Sequence, residues 1–293
     1  MDQQLDKYLQ KKYALQTVKV YLFDINRYLL YMGKKRAENA TWQDVLEYLA
    51  YLRAHYHNPH TINRILCAVK AWYFYLLETG KRRDHPCRNL KLKDAGVSDI
   101  QLQDLFSQAE MERLMQRRER FPLATLRNRV LISLLIYQGL RHKEIIRIRM
   151  QDIDLESGSI FVRPTARGMA RTLTLQPRQV MLFYEYINNV RPALLKADTD
   201  RLIITLRGTA EKGEGITYLV ETFRHLFPGR LLNPRTLRQS VIANLLSDGK
   251  DLRVVQVFAG HKKISSTERY RQSGLKELQA AIEKHHPFEQ NNK

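Results

Sequence analysis

Three separated segments of this sequence carry the residue types that could act on a phosphate group. Guanidinium groups are planar, permanently charged and able to bind two phosphate oxygens at once. Arg235 and Arg238 are three residues apart, which places them on one face of a helix. In chain order the residues are Arg141 with Glu144, Arg235 with Arg238, and His261 with Tyr270. The segments therefore predict a site for a phosphate group.

The charge of the whole chain points the same way. The sequence has 49 Lys and Arg against 30 Asp and Glu, a formal net charge of +19 over 293 residues. Residues 1–90 hold 15 basic and 8 acidic residues, and the rest holds 34 and 22. Both parts are therefore basic, which favours a protein that binds a polyanion such as nucleic acid with both of its parts. A basic surface that only confers solubility stays open, because net charge alone names no fold.

Other compositional features restrict the class of protein. Cys67 and Cys87 have no CxxC neighbour, so neither a disulfide framework nor a zinc finger is expected. His55, His57 and His60 lie close together without carboxylate or Cys support, so no metal site is expected, and no cofactor. We find no apolar run long enough for a membrane helix and no signal-peptide core. The sequence predicts a cytoplasmic, nucleoid-associated protein with no membrane partner.

Taken together and in order, the segments resemble the tyrosine recombinase, or phage integrase, family, and its Xer-type members in particular. Residues 61–80 resemble the last helices of the family's N-terminal core-binding domain, so the resemblance covers nearly the whole chain. Arg238, His261 and Tyr270 are 23 and then 9 residues apart, close to the Xer spacing. The matching motifs are Gly139-Leu-Arg141 with Glu144, Leu237-Arg238, and Gly260-His261 with Tyr270.

The resemblance implies a site-specific recombinase that cuts and rejoins duplex DNA. In the family, a tyrosine attacks the scissile phosphate and leaves a 3′-phosphotyrosine and a free 5′-hydroxyl, without metal or ATP. Tyr270 would be this nucleophile. Arg141 and Arg238 would clamp the two non-bridging oxygens and His261 would donate a hydrogen bond to one of them. Glu144 would orient an arginine or pack the site.

Two positions depart from the family pattern. A lysine is usual at the tip of a β-hairpin, where the best match here is Arg167, or Arg171 if the hairpin register differs. A histidine is usual three residues before the second arginine, where this chain has Arg235. Both changes keep the positive charge, but guanidinium is a poor proton donor because its pKa exceeds about 12. Cleavage is therefore expected to be slower than in a lysine-bearing relative.

Each residue also has an ordinary structural interpretation. Arg141 and Arg238 could form surface salt bridges, His261 could cap a helix, and Tyr270 is one of 15 tyrosines. Arg235 could contact the DNA backbone without taking part in catalysis. For the whole chain, two rivals stay open. One is a DNA-binding architectural or regulatory protein that has lost cleavage, and the other is a type IB topoisomerase-like enzyme that relaxes DNA.

Local patterns predict the elements that must position these residues. In the first part, apolar residues at three- and four-residue steps predict a helix over 17–32, Thr41 with Asp44 predicts a capping box, and a long helix over 61–78 ends at Gly80. In the second part the predicted elements are an apolar helix over 130–140, a hairpin around Ile160 with Arg167 at its tip, a helix from Asn233 to Gly249, a helix from Asp251 to Gly260, and a last short helix capped by Ser265 or Ser266.

These elements predict a mainly α fold with a small β-sheet (α+β). Residues 1–90 would form a helical core-binding (SAM-like) DNA-binding domain, 91–104 a linker, and 105–293 the tyrosine recombinase catalytic domain. By resemblance, the two domains form a C-shaped clamp on a double-stranded recombination site. The working form would be a homo-tetramer on DNA, its subunits linked by a C-terminal docking helix that includes Leu275, Leu278 and Ile282.

Overall fold

A computed structural model of the chain describes residues 3–93, 105–166 and 168–270. It is mainly helical with one small three-stranded sheet, which confirms the predicted fold class. Residues 3–93 belong to one compact unit and the described residues from 105 onward to another. Most of the predicted linker, Arg167 and the predicted C-terminal helix lie outside the described residues. Within them, none of the helices has the length and apolar character of a membrane span.

The described residues of the first unit form five helices. The predicted capping box at Thr41 and Asp44 is confirmed, and the longest helix begins two residues earlier than predicted because Asn58 caps it. Tyr28 and Tyr73 join two of the helices through a buried hydrogen bond of 2.6 Å between their hydroxyls. The helices are α1 (Gln3–Lys12), α2 (Leu15–Met32), α3 (Lys34–Glu38), α4 (Trp42–His55) and α5 (Pro59–Glu78).

The second unit holds the remaining helices around a core centred on α7, whose residues 130–136 are all buried. The predicted extension of this helix to residue 140 is wrong. It ends at Ile136 because Gly139 adopts a left-handed φ of 57° and the Leu140 N–H bonds back to the Leu134 carbonyl. The helices are α6 (Gln108–Glu112), α7 (Pro122–Ile136), α8 (His142–Ile145), α9 (Pro177–Glu185), α10 (Arg191–Leu194), α11 (Glu214–Glu221), α12 (Pro234–Ser247) and α13 (Leu252–Ala259).

The sheet lies beside this helical core. The predicted hairpin is confirmed, with β2 (Ser159–Val162) antiparallel to β3 (Arg171–Thr174) and Val162 opposite Arg171. A third strand, β1 (Ile153–Asp154), pairs with β2. The sequence did not reveal β1, because two residues are too few to show an alternating pattern. The loop between β2 and β3 carries the hairpin toward α8 and the end of α13, where Gly168 pairs with His261.

Helices α12 and α13 are bounded as predicted. The Asn233 side chain accepts hydrogen bonds from the first backbone N–H groups of α12, and the Asp251 side chain does the same for α13. Gly260 ends α13 in a left-handed conformation with φ of 64°. Residues 265–270 are helical as well, so Tyr270 lies on the helix that was predicted to carry it. The predicted cap is wrong, because Ser265 and Ser266 already lie within this helix.

Candidate active site

Glu144 is the centre of the site, with a side chain only 1% exposed. Its carboxylate accepts hydrogen bonds from the Arg141 backbone N–H at 2.9 Å and from Arg141 Nη1 at 2.8 Å. The first bond caps α8, and the second fixes the guanidinium at the entrance of that helix. Arg141 itself is 28% exposed. The buried carboxylate of Glu144 therefore fixes the position of the partly exposed Arg141 side chain.

Arg171 is the second arginine on this carboxylate, and its side chain is 2% exposed. Its Nη1 and Nη2 atoms each lie 3.2 Å from one oxygen of Glu144, in a bidentate pair, and its Nε donates to the Phe258 carbonyl at 2.7 Å. Arg171 is the first residue of β3, so it does not take the tip position for which it was the alternative. It ties α8, β3 and the end of α13 together.

Arg238 is buried on the second turn of α12. Its Nη1 donates to the Gly139 carbonyl at 2.6 Å, and its Nη2 donates to the Ala259 carbonyl. These carbonyls lie at the C-terminal ends of α7 and α13, where a cation is favoured. Nη1 is also 3.8 Å from Glu144. Burial and the charge of Arg141 lower the pKa of Arg238 to about 9, so the guanidinium stays protonated near neutral pH.

The backbone between α13 and His261 is fitted closely around these arginines. A Cβ atom on Gly260 would lie 2.4 Å from Arg171 Nη1, and the residue also has a positive φ. Glycine is therefore needed there for space and for conformation. On the hairpin side, a Cβ on Gly168 would come within 3.1 Å of Arg141 Nη1 and of Glu144 Oε1. The hairpin loop thus packs directly against the cluster.

His261 is buried with both ring nitrogens engaged. Nε2 is 3.0 Å from Arg238 Nη2, and Nδ1 is 2.8 Å from the Thr267 hydroxyl oxygen. Burial, followed by the charges of Arg238 and Arg141, lowers the pKa of His261 to about 3. The imidazole is therefore neutral near pH 7 in the free protein. The predicted donation to a phosphate oxygen requires Nε2 to be protonated, which a bound anion would favour.

Tyr270 lies next to His261, with ring centroids 6.4 Å apart and ring planes 15° from parallel. It packs against the small apolar cluster of Ile242, Val255 and Ala259. Burial raises the pKa of the Tyr270 phenol, and the positive charges of nearby arginines, Arg238 foremost, partly offset this shift. The phenol is therefore protonated near neutral pH, and the arginine charges reduce the cost of its ionisation without cancelling the effect of burial.

The remaining two predicted residues differ in position. Arg235 is exposed on the first turn of α12, close enough to Tyr270 for its charge to lower the pKa of that phenol. Arg167 lies outside the described residues, whereas its neighbour Gly168 lies against the site. The structure therefore brings together Arg141, Glu144, Arg238, His261 and Tyr270. Sequence reasoning gave no role to Thr267 and did not place Arg171 under Glu144.

A second basic feature lies between the start of β1 and the end of β2. It is a concavity of about 320 Å³. Asp152 and Asp200 pair with three of its arginines, Arg163, Arg149 and Arg201, so a positive charge remains. The residues that line it are Arg147, Arg149, Phe161, Arg163, Pro164 and Arg201. The concavity is suited to an anionic group such as a phosphate.

Comparison with known proteins finds relatives whose sequences align with most of this chain. Tyrosine recombinase XerD of Oceanobacillus iheyensis is 28% identical over 281 residues, covering 92% of each chain. Tyrosine recombinase XerC of Roseiflexus sp. is 25% identical, covering 92% of this chain and 89% of its own.

Solved structures share the fold. The XerH site-specific recombinase bound to palindromic difH substrate, a post-cleavage complex, has a TM-score of 0.74 at 19% identity and covers 92% of this chain and 80% of its own. The Tn1549 transposon integrase in complex with circular intermediate DNA has a TM-score of 0.67 at 18% identity, covering 92% and 94%.

Two family models match the two units. Residues 1–80 match the model of the phage integrase N-terminal SAM-like domain. Residues 105–277, more than half of the chain, match the model of the phage integrase family. This chain therefore belongs to the phage integrase family.

Proposed function

We propose that this protein is a site-specific recombinase that cuts and rejoins duplex DNA with Tyr270 as its nucleophile. One observation carries the proposal. Arg141, Arg238, His261 and Tyr270 are spread over 130 positions of the sequence, yet they meet around the buried carboxylate of Glu144.

The charge of the cluster suits a phosphodiester. Arg141, Arg171 and Arg238 share the single negative charge of Glu144, so the cluster has a net charge of +2. A phosphodiester gains a second negative charge as the tyrosine oxygen attacks. Preorganised donors around that charge stabilise the transition state more than the ground state. Arg141 is the partly exposed member and is the one best placed to reach a phosphate from the surface.

The bonds exchanged define what the other groups must do. The Tyr270 Oη–phosphorus bond forms, the phosphorus–O5′ bond breaks, and the 5′-oxygen takes up a proton. The phenol must lose its own proton, and the arginine charges around it reduce the cost of the phenolate. In the reverse step, a 5′-hydroxyl attacks the phosphotyrosine and the strand is rejoined. The phosphotyrosine bond keeps the energy needed for rejoining.

Duplex DNA is the proposed partner of both units, because both are strongly basic. The arginine-lined concavity beside β2 would bind a backbone phosphate. We also propose that the protein works as a homo-tetramer on two DNA sites, as expected from its family. Support for DNA as the partner comes from relatives of the same fold, whose structures include XerH bound to difH substrate and the Tn1549 integrase bound to circular intermediate DNA.

The test is covalent trapping. A suicide duplex with a nick beside the cleavage position should leave wild-type protein attached to DNA on a denaturing gel. Tyr270→Phe removes only the phenolic oxygen, so it should bind the duplex and give no adduct. Tyr218→Phe is the matched control, since Tyr218 is 70% exposed on α11. It should trap like the wild type.

Three results would count against the proposal. An adduct formed by Tyr270→Phe would assign the nucleophile to another residue. Binding without any adduct from the wild type would favour the architectural or regulatory protein. Relaxation of supercoiled DNA that lacks a recombination site would favour the topoisomerase-like enzyme.

A further inference from the structure

His261 has only one arrangement of protons that satisfies both of its neighbours. Arg238 Nη2 lies 3.0 Å from Nε2, and a guanidinium can donate a hydrogen bond but cannot accept one. Nε2 must therefore be the unprotonated nitrogen. A neutral imidazole carries one N–H, so the proton is on Nδ1, and the Thr267 hydroxyl oxygen at 2.8 Å accepts it. The opposite tautomer would place two N–H donors against each other at Nε2.

Thr267 is suited to this role by its surroundings. The residue is fully buried, so water does not compete for the Nδ1 proton. Its backbone is held in the helix start by a hydrogen bond from its N–H to the Ile264 carbonyl at 2.8 Å. The hydroxyl is therefore fixed by the fold, and it faces the ring six residues after His261 in the sequence.

We propose that Thr267 is a positioning residue: Arg238 sets the tautomer of His261, and the Thr267 hydroxyl accepts the Nδ1 proton and so fixes the ring orientation in which the Nε2 lone pair is directed at Arg238. This inference rests on the proposed recombinase function for its catalytic consequence. Thr267 acts only through His261: if Nε2 gains a proton when a phosphate is bound, a phosphate oxygen and not Arg238 must accept from Nε2, while the same hydroxyl still accepts from Nδ1. The ring then keeps one orientation in both states, which is what a preorganised site requires.

The experiment measures the tautomer directly. Full-length protein labelled with ¹⁵N-histidine reports which ring nitrogen carries hydrogen, and the spectrum of His261→Gln identifies the His261 signals. Wild type should show a protonated Nδ1 and an unprotonated Nε2. Thr267→Val keeps the branched shape without the hydroxyl, so the Nδ1 proton loses its acceptor, and its proton signal should move upfield and exchange faster with water. Thr267→Ser should restore the wild-type Nδ1 proton signal, and Ser266→Ala, a hydroxyl removed from the same turn, should leave it unchanged.

Cleavage of the suicide duplex gives the second readout. Thr267→Val should slow adduct formation by about ten- to a hundred-fold, by analogy with the loss seen when the outer hydrogen-bond partner of a metal-bound histidine is removed. Thr267→Ser should recover most of the rate. Duplex binding should change little, and the unfolding transition should fall modestly, because a buried hydrogen bond is lost.

The outcomes separate this inference from a merely structural role. It is overturned if the wild type shows a protonated Nε2, or if Thr267→Val slows cleavage while the Nδ1 proton signal is unchanged. A changed Nδ1 proton signal with an unchanged rate also overturns it. If the wild type forms no adduct, the proposed function fails, but the spectra of the free protein still decide whether Thr267 accepts the Nδ1 proton.

Discussion

Replacing Glu144 by Gln should cost more stability than almost any other single change in the second unit. The carboxylate is 1% exposed and accepts four hydrogen bonds, two from Arg141 and two from Arg171. Gln keeps the shape, but it removes the charge and points an amide NH₂ toward a guanidinium. Breaking a buried ion pair by removing one partner costs about 3–5 kcal/mol, because the other charge is left uncompensated.

The assay is chemical or thermal unfolding of the full chain. For a unit of this size, each kcal/mol lowers Tm by about 2–4 °C, so a fall of roughly 6–20 °C is expected. Glu112→Gln is the matched control. Glu112 pairs with Arg178, but the two side chains are 36% and 54% exposed. An exposed pair of this kind contributes less than about 1 kcal/mol. Equal losses from the two variants would refute the central role of Glu144.

Acid provides an independent check of the same interaction. Burial alone would raise the pKa of Glu144, but the hydrogen bonds and charge of Arg171, with the charge of Arg238, outweigh it and the net shift is downward. A lowered pKa in the folded state means that the carboxylate stabilises the fold above its unfolded pKa of about 4.3. That contribution is lost as the pH falls through the folded pKa. Glu144→Gln should therefore flatten the acid limb of the stability curve.

Three further predictions concern the reaction and DNA binding. Arg141→Ala should slow adduct formation about a hundred- to a thousand-fold, because one transition-state donor is lost. It should cost only about 1 kcal/mol of duplex binding, because most phosphate contacts remain. Parallel losses of cleavage and binding would place Arg141 in a general DNA-binding face. Arg167→Lys should speed cleavage of a normal duplex, because an ammonium group gives up a proton more readily than a guanidinium. It should not speed cleavage of a duplex with a 5′-bridging sulfur, which needs little leaving-group protonation. An unchanged rate on both substrates would place residue 167 outside the active site. Arg147→Ala should reduce the slope of log binding constant against log salt by about one, with Arg224→Ala as control; an unchanged slope would remove the arginine-lined concavity from the DNA interface.

The groups that meet at the site could be predicted from the sequence because their order and spacing are distinctive. Gly139 and Gly260 marked the ends of helices that deliver Arg141 and His261, and the structure gives both glycines a left-handed φ. Asn233 marked the start of the helix that carries Arg238. Each of these signals is local, since a cap or a stop is encoded within a few neighbouring residues.

The connections among these groups could not be predicted, because they depend on which elements pack together. Arg238 donates to carbonyls at positions 139 and 259, and nothing local to α12 marks those partners. Arg171 was an alternative for the hairpin tip, because the sequence left the register of the hairpin open. The pairing of Val162 with Arg171 settles it and turns the guanidinium toward Glu144. Thr267 gave no signal, since a threonine in a first helical turn usually serves as a cap.

The positions of Thr267 and Tyr270 have a consequence for the timing of the reaction. They are three residues apart within the helical residues 265–270, so a displacement of this helical turn would move both residues. A displacement of this turn that withdraws the phenol from the arginines also takes the hydroxyl away from Nδ1 of His261. The position of the nucleophile and the hydrogen bond that orients the histidine are therefore expected to change together. A subunit whose helical turn is out of place would lack both at once.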